Sequence, residues 1–385
     1  MSIDLIPGHA TMAATRQYVS SFGQSCAPGH YSDFLNVHLQ LSSLGIGTFP
    51  GAPTDEVDAQ YAEIISRALT QGINVIDTSA HYRYGRSAAA VGVGLRRAMA
   101  VGVEREQVFL VSKGGFLSMR EGKPDNLAEW FQQEVVEKGL GKVEDLVSMH
   151  CISPEYIAFQ LELSRQLMGV ETLDAFLIDQ PEVHIPVIGK AALNNKLLAA
   201  FTVLEEAVKA GRLRYYGIST FNGFRAETDN PLFQSIASLI GLAEKAAQAA
   251  WQDIQAKHHF KVVQLPFNQV MQEGFTRFSQ TTGQGNVGSS IQAAHQLGVY
   301  LMASHTLFKG RLAETAMDAV VQTLPMLPNH AQRALQFNRS TPGVGTSLVG
   351  ISTPAHLDDL LAVSHLPPLE KAVYLKMYER TDDAG

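Results

Sequence analysis

The chain of 385 residues is 45% hydrophobic and 17% charged, which is enough apolar material for a large core and too little charge for a disordered chain. Its formal charge of −7 argues against the basic surface that nucleic-acid or acidic-membrane binding needs, so a small molecule is the expected partner. Cys26 and Cys151 are too few for a disulfide framework, and no Cys/His cluster has zinc-site spacing; with no signal-peptide pattern and no apolar run of 18 residues, the expected location is cytoplasmic.

Residues 1–40 lie outside any strand–helix repeat and read as an N-terminal extension or a cap over a barrel floor. The unit from 41 to 385 follows. Its first apolar run, Leu41 to Phe49, precedes a helical pattern over Asp55 to Thr70, and the second, Ile73 to Ser79, precedes one over Ser87 to Ala100. After the third run, Val108 to Gly115, comes a long insertion from Leu117 to Met149 with a Glu/Lys-rich helical piece around Glu129 to Asp145; it reads as a lid or substrate wall, or as a surface excursion. The pattern then resumes with a helix over Pro154 to Met168, the run Leu173 to Pro181, a helix over Ala191 to Ala210, the run Leu213 to Ser219 and a helix over Asn230 to Ala250. It closes with Lys261 to Asn268, a helix over Ile291 to Leu297, Val299 to His305, a helix over Asn329 to Phe337, Val344 to Ser352 and a helix over Pro354 to Val363. Gly72, Gly169, Gly211 and Gly298 fall where helices give way to strands, matching the preference for glycine just past a helix end. Alternating strand and helix implies parallel strands with right-handed crossovers, and eight units close a (β/α)8 TIM barrel, an α/β fold. The alternative, an open doubly wound sheet, lacks the GxGxxG turn after its first strand.

In such a barrel, polar residues at the C-terminal ends of strands share one mouth. Asp77 ends the second run, Lys113 the third and Asp179 the fourth, while Tyr82 follows five residues after Asp77. Singly, each reads as a structural ion pair or a loop tyrosine. On successive strand ends they read as a site. A buried Lys113 paired with Asp77 stays charged, and its field favours the tyrosinate of a nearby phenol, which makes Tyr82 a usable acid.

Here the chain resembles the aldo-keto reductase superfamily from about Leu41 to Leu361. The resemblance rests on IDTSAHY (76–82), VSK (111–113), LIDQPE (177–182), YGIST (216–220), QLPFN (264–268) and SLVGISTPAHL (347–357), taken in that order. It implies reduction of a carbonyl by hydride transfer from a nicotinamide, with an Asp, Tyr, Lys, His tetrad in which Tyr donates the proton. Carried over, these are Asp77, Tyr82 and Lys113, with Tyr84 a rival to Tyr82, and with Ala88 where the family commonly has Glu.

The fourth strand departs from the pattern, because Asp179 stands where the family has histidine. A protonated Asp179 donates a hydrogen bond to a substrate oxygen; an ionised one cannot, and it opposes tyrosinate formation. Steroid 5β-reductases of the superfamily carry glutamate there and reduce an activated C=C bond, so a conjugated enone joins the carbonyl as an expected substrate. His184, five residues on, is a second histidine that would have to fold back to substitute.

The resemblance also implies cofactor contacts. Ser219, Thr220 and Gln264 match positions that hold the nicotinamide carboxamide, which needs donors and acceptors. Ala303 to Leu312, with Ser304, Lys309 and Arg311, matches the loop over the pyrophosphate. Gly350, Ser352, Thr353 and His356 match the adenosine 2′-phosphate region at a helix start, but no Arg or Lys occurs between Arg339 and Lys371. NADPH is therefore the expected cofactor and NADH the alternative. Two rival readings remain: a reductase-like barrel that holds the cofactor as a redox sensor or scaffold with little turnover, and a barrel lyase or isomerase using Asp and Lys without nicotinamide. Substrate identity and oligomeric state have no readable code.

Overall fold

The computed structural model describes residues 4–34, 37–283 and 285–378; residues 1–3, 35–36, 284 and 379–385 of the two segments predicted from sequence lie outside the described residues. Two short strands, β1 (Tyr31–Phe34) and β2 (Leu39–Ser42), pair antiparallel. They are followed by β3 (Leu44–Gly47), β4 (Val75–Asp77), β5 (Phe109–Gly114), β6 (Leu173–Asp179), β7 (Leu213–Ser219) and β8 (Phe260–Pro266). A second small hairpin, β9 (Gln280–Thr281) with β10 (Val287–Gly288), precedes β11 (Tyr300–Ser304) and β12 (Thr346–Gly350). Strands β3 to β8, β11 and β12 pair in parallel and close on themselves between β12 and β3, giving a (β/α)8 barrel.

Seven of the predicted runs contain their barrel strand, β8 begins one residue before its run, at Phe260, and the first run is split. Leu41 belongs to the hairpin and Leu44 to the barrel because the chain turns at Ser42 and Ser43. Asn74 locks that turn: its Oδ1 accepts from the Ser42 N–H at 2.9 Å, its own N–H donates to Ser42 Oγ at 3.1 Å, and its Nδ2 donates to Gln40 O at 2.9 Å.

Caps set the helix boundaries. Thr54 and Ser153 accept from Val57 and Tyr156 N–H groups to start the helices Asp55–Leu69 and Pro154–Met168, and Pro154 is preorganised for the first helical turn. Gly72, Gly169, Gly211 and Gly298 all have positive φ, between 66° and 98°, as the helix-end reading requires. The helix predicted from Asn230 starts later, at Ile236, where Ser235 caps it. The stretch Pro181–Lys209 is long and apolar enough to cross a membrane by length and composition. It is interrupted at Gly189 (φ 77°) and by Lys190, Asn194, Asn195 and Lys196, while Leu193, Leu197, Phe201 and Leu204 pack into the core.

Inside the barrel, alternation decides what each strand offers. Val75, Phe109, Val111, Ala175, Leu177, Val262, Tyr300, Met302 and Leu348 form one interior cluster, whereas their neighbours Ile76, Leu110, Phe176, Ile178, Val263, Leu301 and Val349 join the outer layer beneath the helices. The β1–β2 hairpin contributes Phe34, fully buried against Phe109, Tyr215 and Tyr300 near the N-terminal ends of their strands. Arg105 and Asp174, each 1% exposed at the side chain, form an ion pair at 2.7 Å on the same side. Asp174 also accepts from the backbone of Ala10 (2.6 Å) and Leu110 (2.8 Å), so it ties the segment before residue 40 to two barrel strands.

A close backbone approach fixes one glycine. A Cβ on Gly217 would run into Val262 O, where the β7–β8 register slips. Gly217→Ala is expected to destabilise the protein by about 3 kcal/mol, the upper range for overpacking. A urea-unfolding midpoint unchanged from wild type would show that the two strands part freely there.

The insertion after β5 is less helical than its composition suggests. A helix runs over Leu127–Phe131 and continues as a wide turn over Gln132–Val136; Gly139 (φ 69°) and Gly141 break it, and only a single 3-10 turn over Val143–Asp145 follows. Leu117, Met119, Phe131, Val135, Cys151 and Tyr156 give the insertion its own small core on the Pro154–Met168 helix. Gln160 pins its start, with Oε1 accepting from Gly115 N (2.7 Å) and Nε2 donating to Phe116 O (2.6 Å).

Candidate active site at the barrel mouth

The inward-facing series on each strand ends in a polar residue. Above Val75 comes Asp77; above Phe109 and Val111 comes Lys113; above Ala175 and Leu177 comes Asp179; above Tyr215 and Gly217 comes Ser219; above Val262 comes Gln264. Pairing sets their heights, since Asp179 is opposite Ser219 and Ser219 opposite Gln264. The period of two and the parallel register thus deliver five of the predicted residues to one end of the barrel.

Lys113 Nζ lies 2.5 Å from Asp77 Oδ2 and 5.1 Å from the centre of the Tyr82 ring. Gln264 Nε2 donates to Asp77 Oδ1 at 3.3 Å, and Ser219 Oγ donates to Gln264 Oε1 at 3.0 Å. Thr220 N–H donates to Gln264 O at 2.9 Å. Tyr82 packs edge-to-face with the exposed Phe49 ring at 5.1 Å and with His81 at 4.7 Å.

Burial dominates the electrostatics. It raises Asp77 above the usual carboxylate range, with Lys113 and Gln264 acting against the rise. Burial works against the Lys113 ammonium too, but Asp77, Tyr82 and Asp179 together hold its pKa above that of an ordinary lysine. Asp179 is pushed up to about 6, first by burial, with Lys113 and Ser219 pulling down and Asp77 and Glu182 pushing further up. The sequence-based expectation for Tyr82 needs correcting. Burial, Asp77 and Asp179 outweigh the Lys113 field, so the phenol's pKa is raised rather than lowered.

Tyr84 does not join the group: it is 37% exposed in a turn where both Arg83 and Tyr84 have positive φ. His184 does not fold back toward Asp179 either, because its Nε2 meets His150 Nδ1 at 2.9 Å. His150, at the return of the insertion, bonds the Asp179 carbonyl through Nε2 at 2.6 Å, and burial lowers both rings, to about 3 for His150 and about 4 for His184. Both imidazoles are therefore neutral and serve to join the insertion to the end of β6.

The remaining predicted residues lie on the loops after β11 and β12. Ser304 ends β11 with its hydroxyl 3.4 Å from His305 Nδ1, and His305, Phe308 and Lys309 all have left-handed backbone, a concentration of strain found at ligand-holding turns. Lys309 and Arg311 are exposed and, among the described residues, form no ion pair. Gly350 ends β12, and Thr353 caps the helix Pro354–Ser364 by accepting from His356 N–H at 3.3 Å, with Ser352 half-buried beside it. Among the described residues, no group of three or more His, Cys, Asp and Glu side chains is arranged to hold a metal.

Sequence reasoning missed Glu182, His150, Gln160 and Phe49. Glu182 was in plain view inside the LIDQPE motif, and its acidity beside a proline turn was the available signal. His150 and Gln160 depend on where the insertion returns, which no local pattern reports, and Phe49 on the fold bringing the loop after β3 against Tyr82.

Residues 43–379 match the aldo/keto reductase family. Among curated proteins, the chain is 29% identical over 167 residues to the NADH-specific methylglyoxal reductase of Escherichia coli strain K12, covering 41% of this chain and 45% of that protein. It is 23% identical over 212 residues to the aldo-keto reductase YhdN of Bacillus subtilis strain 168, covering 54% and 51%. The alignments thus span about half the length of these curated relatives. Among solved structures, it superposes on the aldo-keto reductase AKR11C1 from Bacillus halodurans in its holo form with a TM-score of 0.58 at 17% identity, over 90% of this chain and 95% of that one. An aldo/keto reductase from Klebsiella pneumoniae in complex with NADP and acetate gives 0.57 at 15% identity, over 90% and 93%.

Proposed function

Since the chain belongs to the aldo/keto reductase family, we propose that it reduces a carbonyl or conjugated enone of a small molecule at the expense of NADPH or NADH, with Tyr82 as the proton donor. The observation that carries this reading is the buried Lys113–Asp77 pair beneath the Tyr82 ring. The dinucleotide supplies the hydride. The residues present suit it: Ser219 and Gln264 offer hydroxyl and carboxamide groups at the height of Asp179, and Lys309 and Arg311, exposed and in no ion pair among the described residues, suit a pyrophosphate. At the adenosine end, Ser352, Thr353 and His356 are the predicted contacts, and the Asp358 carboxylate nearby is taken by Arg67. With no arginine or lysine between Arg339 and Lys371, and with Arg67 engaged by Asp358, NADH should be used nearly as well as NADPH.

The chemistry follows from the charges. A raised pKa keeps the phenol protonated until hydride arrival makes the substrate oxygen basic. Lys113 then stabilises the tyrosinate as it forms, and its ion pair with Asp77 keeps the ammonium charged in a buried place. Protonated Asp179 donates a hydrogen bond to the same oxygen, a stronger pull than a neutral imidazole gives and one suited to an enone.

The sign of the pH effect is fixed. Asp179 holds its proton below about 6 and loses it as pH rises through that value. Reduction that needs the acid should therefore be fullest below about 6 and decline by up to about tenfold per pH unit above it. Asp179→His should abolish that decline and move preference from enones toward simple aldehydes and ketones. A kcat profile flat from pH 5 to 8 in the wild type would remove Asp179 from the mechanism.

The same value favours a second reading. Near neutral pH an ionised Asp179 opposes tyrosinate formation, which suits a protein that binds dinucleotide and turns over slowly, as a sensor or scaffold would. Asp179→His then gains activity from near zero instead of changing preference.

A further inference from the structure

Glu182 lies three residues beyond Asp179 and is 2% exposed. One carboxylate oxygen, Oε1, accepts from three successive backbone N–H groups, those of Phe221 (2.8 Å), Asn222 (3.0 Å) and Gly223 (3.3 Å). The next N–H, of Phe224, goes to Thr220 Oγ1 at 3.2 Å, so four consecutive donors after β7 are gathered inward. The other oxygen, Oε2, is buried without a hydrogen-bond partner among the described residues. A carboxylate kept in such a place, with one oxygen unsatisfied, is held there by the geometry of the other.

The chain reaches this arrangement through strain. Gln180, between Asp179 and Pro181, has left-handed backbone (φ 51°, ψ 49°), and its N–H donates to Ser219 O at 2.6 Å. That turn swings Glu182 across the end of β7, where it meets the backbone immediately after Ser219 and Thr220. Such strain persists only where surrounding contacts over-determine it, and the three amide bonds are those contacts.

We propose that Glu182 is a positioning residue which, by collecting the 221–223 amides on one oxygen, holds Ser219 and Thr220 where they meet both Asp179 and the carboxamide of the dinucleotide. The proposal rests on the reductase reading given above. Glu182 also acts on Asp179 through its charge. Around Asp179 stand Lys113 on β5, Asp77 on β4, Tyr82 after β4, Glu182, and the neutral ring of His150 on its carbonyl. Of the charged groups, Glu182 and Asp77 favour the protonated acid and Lys113 opposes it.

Two substitutions separate the roles. Glu182→Gln retains an acceptor oxygen for the amides and removes the charge; Glu182→Ala removes both. Dissociation constants for NADPH and NADH, read from nicotinamide fluorescence, should weaken about tenfold in the alanine variant and stay within about twofold of wild type in the glutamine variant. In the glutamine variant the decline of kcat with pH should move to lower pH, because a neighbouring negative charge is gone. A merely structural glutamate would lower the melting temperature and move neither readout. Wild-type affinity in folded Glu182→Ala, or an unmoved pH profile in Glu182→Gln, overturns the proposal; if the alanine variant fails to fold, the glutamine profile alone decides. No saturable fluorescence change with wild type would overturn the reductase reading itself, and the proposal with it.

Discussion

Tyr82→Phe is expected to lower kcat by about 10²–10⁴-fold, the range supplied by a positioned general acid, while leaving the dinucleotide dissociation constant within about twofold of wild type. The substitution removes one oxygen and keeps the ring, so the edge-to-face contact with Phe49 and the position over Lys113 survive. What is lost is the proton and the group that carries negative charge after giving it up. Lys113→Met should be comparably damaging to kcat, and in addition should leave Asp77 buried without its counter-charge. Comparing the two separates the phenol from its support. If Tyr82→Phe kept more than a tenth of wild-type kcat, protonation by Tyr82 would be excluded and Asp179 would become the acid to test.

The second large effect lies at the opposite end of the barrel. Asp174→Ala is expected to cost about 3–5 kcal/mol, because removing one partner of a buried ion pair strands the other. Arg105 would keep its bonds to Val108 O (2.6 Å) and Thr172 O (2.8 Å) but lose the Asp174 carboxylate, its one carboxylate partner among the described residues. The backbone N–H groups of Ala10 and Leu110 would lose their acceptor in the same step. The check is the urea midpoint together with amide exchange of Ala10 and Leu110. A midpoint shift under about 1 kcal/mol would mean that water reaches the stranded guanidinium. Replacing the pair together, as Arg105→Met with Asp174→Leu, should cost less than Asp174→Ala alone, since no isolated charge remains.

The barrel was legible in the sequence because strand runs and helical periodicity alternate eight times, and glycine marks four helix ends with backbone that only it adopts readily. The mouth was legible because alternation along a barrel strand has no freedom: once Val75 faces inward, so does Asp77, and likewise Val111 and Lys113. The split at Ser42 was not readable, since Asn74 makes that turn from 32 residues away. The Tyr82 pKa was misjudged because a nearby ammonium is visible in a motif, whereas burial is a property of the assembled fold. Glu182 escaped notice for a similar reason, as its three partners are backbone groups that carry no sequence letter.

The packing beneath the mouth has a kinetic consequence. Under Asp77, Lys113, Asp179 and Gln264 lie Val75, Phe109, Val111, Ala175, Leu177 and Val262, and below those the Phe34 ring is wedged among Phe109, Tyr215 and Tyr300. The hydroxyls within that plug, Tyr300 Oη and Thr346 Oγ1 at 2.8 Å, bond to each other and on to Ser42 O, and among the described residues neither bonds to Asp77, Lys113, Asp179 or Gln264. On the proposed mechanism a spent Tyr82 tyrosinate is recharged from above, by water entering once the product has gone, so each cycle ends with a wetting event at the same opening the substrate used.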